Sequence, residues 1–65
     1  MRIVLVTGEH YNVNNCVKGE LMQIISKHDS LGINFVMLDV NVFAKSEFQS
    51  VKRMFNLNHI VEIWE

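Results

Sequence analysis

The sequence predicts an α/β domain, a three-stranded β-α-β-α-β sheet with the first strand central. Three observations carry that expectation. Residues 3–7 include four β-branched and four apolar residues without alternation, as in a strand covered on both faces. Residues 16–28 and 43–55 each carry an apolar stripe at helical spacing. Residues 33–40 and 59–64 are two further apolar runs of strand length.

The elements follow in order. Residues 2–7 form the first strand, and Gly8 supplies the backbone angle at which the chain leaves the sheet. Residues 8–15 read as a polar loop, rich in asparagine and suited to Asx turns and caps. This loop delivers Cys16 to a helix capped by Asn14 or Asn15, with Glu20 favoured by the helix dipole. Val17, Leu21, Ile24, Ile25 and His28 share one face of that helix, while Lys18, Gln23 and Lys27 fill the other. Asp29-Ser30-Leu31-Gly32 ends it.

Residues 33–40 are the second strand, after which Asp39 or Asn41 caps a second helix. Its stripe is Ala44, Phe48, Val51 and Phe55, and Asn56 reads as its left-handed C-terminal residue with Leu57 as the apolar contact beyond. In the last strand Ile60, Val61, Ile63 and Trp64 are apolar, and Glu62 faces water or a partner. Alternating strands and helices imply a right-handed crossover that makes the first two strands parallel. The third strand then runs antiparallel to the first, or parallel to it in a minimal flavodoxin-like arrangement. Both helices lie on one face, and the other face has no cover.

Residues 1–65 make one domain without repeat or linker. A core of this size rarely supplies more than ~3–5 kcal/mol on its own. One cysteine excludes an internal disulfide, and no Cys/His grouping has zinc spacing. The remaining support is a protein partner, with a homodimer expected. A net charge of −1 argues against a nucleic-acid binder. No apolar run reaches membrane-span length and no cleavable leader is expected, so no membrane partner is predicted. A lone thiol suits a reducing cytoplasm.

Cys16 is the one candidate nucleophile. A cysteine in the first turn of a helix has its thiolate favoured by the dipole, with Lys18 adding to the effect. The competing reading is a small buried apolar residue. The order of residues 3–7, Cys16-Val17-Lys18-Gly19, and a strand opening after Gly32 resembles the glutaredoxin branch of the thioredoxin-like family. The resemblance implies a thioredoxin-like core and, under a redox reading, a monothiol Cys16 working with glutathione. Gly19 stands where that family has its resolving cysteine, and Val61 where it has its cis-proline, so a dithiol cycle is excluded. Such a scaffold is one stripped of catalysis and reused for binding.

His59 lies near Cys16 if the third strand is antiparallel. Val6-Thr7-Gly8 lacks the further glycines of a dinucleotide-binding turn, and no carboxylate pair has catalytic spacing. No metal or other cofactor is expected. The expected function is therefore a small, non-catalytic protein-binding module, such as an inhibitor of a larger protein. Its interface residues are Tyr11, His59, Ile60, Glu62, Ile63 and Trp64, since aromatics are enriched at interfaces and an exposed strand edge can extend a neighbour's sheet.

Overall fold

A computed structural model describes residues 1–65. The chain runs β1 (Arg2–Leu5), β2 (His10–Val13), α1 (Lys18–Ser30), β3 (Phe35–Ala44) and β4 (Glu47–Asn56). A single 3-10 turn, Leu57–His59, then leads into β5 (Ile60–Trp64). The five strands form one sheet in the order β4-β3-β2-β1-β5, and every paired neighbour is antiparallel.

This overturns the expected three-stranded β-α-β-α-β core with parallel pairing, in both its thioredoxin-like and its flavodoxin-like form. Two local differences produce the change. His10–Val13 is a strand, not part of a loop, and it inserts between β1 and β3. β1 and β3, the two strands expected to pair in parallel, therefore run in the same direction but never pair. Residues 43–55 are not a helix. They belong to a long hairpin in which β3 and β4 pair from Phe35↔Asn56 to Ala44↔Glu47.

The hairpin follows from alternation. In β3, Val36, Leu38 and Val40 are buried while Phe35, Met37 and Phe43 are exposed. Lys45 and Ser46 close it with φ of 51° and 65°, both in the left-handed region of a type I′ turn. Asn56 is extended instead of left-handed, and its side-chain oxygen accepts from Asn58 N to start the 3-10 turn.

At the other end, Gly8 at φ 91° and Gly32 at φ 72° make the left-handed turns leaving β1 and α1. The helix begins two residues later than the stripe predicts. Val17 takes the N-cap position, and Glu20 reaches back to accept from Val17 N at 3.3 Å. Asn15 has positive φ ahead of it.

Eight of the 65 residues are buried. Leu21 drops from α1 into a cluster with Ile3, Val13, Val36, Val40 and Phe55, so the helix covers one sheet face. The sheet is curled around that cluster. Leu57–His59 can bridge at most ~14 Å, whereas a flat sheet would hold β4 and β5 ~19 Å apart. Consistent with the curl, Tyr11 of β2 meets Phe55 of β4 edge-to-face at 5.2 Å, across the intervening β3. The opposite face carries no element of the chain.

Candidate docking site at the edge strand

β5 closes one side of the sheet and pairs only with β1. Its register explains how its side chains are dealt out. Leu5 opposes Ile60 and Val4 opposes Glu62, which leaves Val61 unopposed as the extra residue of a bulge. Without the bulge Ile60 and Ile63, three apart, would point to opposite faces. With it both pack against the core, and Glu62 and Trp64 stay exposed. Trp64 Nε1 donates to Glu62, Arg2 lies 5.9 Å from the Trp64 ring, and His10 meets that ring edge-on at 6.2 Å.

Beside β5 runs a shallow cleft of about 280 Å³. Met22 and Ile25 of α1 form one wall, and Leu57, Ile60, Val61 and Ile63 form the other. Lys18 and Glu62 complete the lining, but the Glu62 carboxylate accepts from Trp64 on the open sheet face, which leaves Lys18 as the charge at the cleft. Met22 and Val61 are about half exposed there. The bulge that turns Ile60 and Ile63 inward is also what leaves Val61 to line the cleft.

The interface residues expected from sequence thus divide. Ile60, Glu62 and Ile63 line the cleft, whereas Trp64 lies on the open sheet face. His59 sits in the 3-10 turn, where its carbonyl accepts from Val6 N at 2.7 Å, and no hydrogen bond links it to Cys16. Tyr11 is half-buried on the helix-covered face. Its hydroxyl donates to Glu9 and accepts from Arg53, whose guanidinium lies 5.7 Å from the ring. Lys18, Met22, Ile25, Leu57 and Val61 are the members that sequence reading missed. Leu57 was legible as an apolar residue just before the last strand, and Met22 lay off the stripe assigned to the core.

Cys16 lies before the N-cap, outside the first turn of α1, and its Sγ donates to Val17 O at 3.6 Å. Burial pushes its thiol up, and the Glu20 carboxylate pushes it further, against a smaller lowering from the chain's amino terminus. That direction is opposite to the one a helix-activated thiolate requires. No three His, Cys, Asp or Glu side chains converge as metal ligands, and no helix is long and apolar enough to cross a membrane. Comparison with protein-family models, curated proteins and solved structures found no match.

Proposed function

We propose that this chain is a small, non-catalytic protein-binding module that takes an extended segment of a partner along β5, in the cleft beside α1. The observation that carries the reading is the coincidence of an unpaired strand edge with an apolar groove. An added strand gains main-chain hydrogen bonds from the edge, and a groove beside it receives alternate side chains. Met22, Ile25 and Val61 supply the apolar floor for those side chains, and Lys18 supplies charge at the rim. The bulge at Val61 and the charge of Glu62 work against indiscriminate edge pairing. Such a module can act as an inhibitor by occupying a segment that a larger protein needs elsewhere. The raised thiol of Cys16 favours this reading over monothiol chemistry with glutathione. A single unpaired cysteine suits the reducing cytoplasm, where we place the protein.

The test is selection of linear peptides on the purified protein, followed by binding measurements on Met22→Glu. Met22 is exposed on α1, so the substitution leaves the core intact. Selected peptides should lose at least about tenfold in affinity against the variant. Binding insensitive to Met22→Glu, or selection that yields no binders, defeats the proposal.

A further inference from the structure

The open face of the β3–β4 hairpin is ordered in a way that its isolated chain does not use. Five cross-strand rows point outward along it: Phe35 beside Asn56, Met37 beside Met54, Asp39 beside Lys52, Asn41 beside Ser50, and Phe43 beside Phe48. The apolar rows Met37/Met54 and Phe43/Phe48 therefore flank the two polar rows, and the outermost row, Phe35 beside Asn56, is mixed. Phe43 and Phe48 are 67% and 71% exposed, yet they meet edge-to-face at 5.2 Å. Asp39 and Lys52 pair at 3.3 Å, with the lysine mostly in water. Asn14 reaches in from the end of β2 to both Asn41 and Ser50, fixing the polar row beside that pair.

We infer that this face binds a second copy of the chain, packed sheet to sheet about a two-fold axis parallel to the hairpin. The charge pattern selects the partner and the orientation. A two-fold along the hairpin exchanges the two strands within every row. Asp39 then faces Lys52 of the partner subunit, Phe43 faces the partner's Phe48, and Met37 faces the partner's Met54. The Asn41 and Ser50 row meets its own kind, and both side chains can donate and accept. A two-fold across the strands through the charged row instead sets Asp39 on the partner's Asp39 and Lys52 on the partner's Lys52, which repel. A slip of one row sets both charges against the methionine row or against the Asn41 and Ser50 row. The alignment about the two-fold along the hairpin matches four of the five rows, the outermost setting Phe35 against the partner's Asn56, and it is isologous, as a two-fold contact must be. It is also compatible with the near-aligned packing of twisted sheets. The surface is separate from the β5 cleft, so the two interactions stand or fall independently.

Paired charge variants test it, with sedimentation equilibrium as the readout. The unmodified protein should be dimeric at about 100 μM. Asp39→Lys places two lysines on the face and Lys52→Asp places two aspartates there, so each alone should weaken dimerisation at least about tenfold. Mixing the two single variants should restore association, because the lysine face then meets the aspartate face. The double exchange Asp39→Lys/Lys52→Asp should dimerise as the unmodified protein does. Phe48→Ser, at the exposed tip, should also weaken the dimer while leaving the far-ultraviolet circular dichroism unchanged. A monomer at about 100 μM, or a mixture no more associated than its components, overturns the inference.

Discussion

Exchanging the hairpin turn Lys45-Ser46 for Asn-Gly should stabilise the protein, and the sign of the change is diagnostic. Both residues hold positive φ, at 51° and 65°. An L-residue in that region gives up roughly 1 kcal/mol relative to its ordinary conformations. Asparagine tolerates the left-handed region and glycine has no steric penalty there, which is why Asn-Gly dominates type I′ turns. Lys45→Asn/Ser46→Gly therefore recovers about 1.5–2 kcal/mol in the folded state. Glycine also loosens the unfolded chain, which takes back roughly 0.7 kcal/mol. The net gain is about 1 kcal/mol, or a rise in Tm of roughly 4–8 °C for a domain of this size. Thermal unfolding at one fixed protein concentration reads it directly, since self-association makes Tm concentration-dependent. If residues 43–55 were a helix, the same pair would sit inside it and lower stability by roughly 1–1.5 kcal/mol. A fall in Tm would refute the hairpin.

Three further outcomes follow from the packing. Leu21→Ala removes the one fully buried side chain of α1 and should cost about 3 kcal/mol. That is most of the stability a core this small supplies, so urea denaturation should show the variant largely unfolded in dilute denaturant. Asn14→Ala breaks the bonds to Asn41 and Ser50 and should cost about 1–2 kcal/mol by the same denaturation. Because its thiolate is disfavoured, Cys16 should react with iodoacetamide at neutral pH more slowly in the folded protein than in urea. Faster reaction in the folded state would contradict the raised thiol.

Much of the chain was legible where one period dominates. The apolar run at residues 3–7 marks an interior strand, Gly8 and Gly32 mark left-handed turns, and the stripe through Leu21, Ile24 and Ile25 marks the helix. β5 was legible as an apolar segment with Glu62 turned outward. The hairpin was not legible, for two physical reasons. Ala44, Phe48, Val51 and Phe55 satisfy helical spacing, while the alternation of β4 is blurred by Gln49 and Arg53 on its helix-facing side. The turn also lacks glycine, asparagine or proline, so nothing in Lys45-Ser46 announces it. β2 was hidden by its brevity, since four residues ending in Val13 carry too little pattern to separate from a polar loop. The cleft could not be read at all, because it depends on the curl that brings β4 and β5 within reach of a three-residue link.

Amide hydrogen exchange on the free protein, resolved residue by residue, tests most directly whether β5 offers an unpaired edge. Alternate amides of Ile60–Trp64 point away from β1 and should exchange at nearly unprotected rates, while those of the interior β1 stay among the slowest. Uniform slow exchange across Ile60–Trp64 with no partner present would mean the edge is already covered, and the docking account would fail.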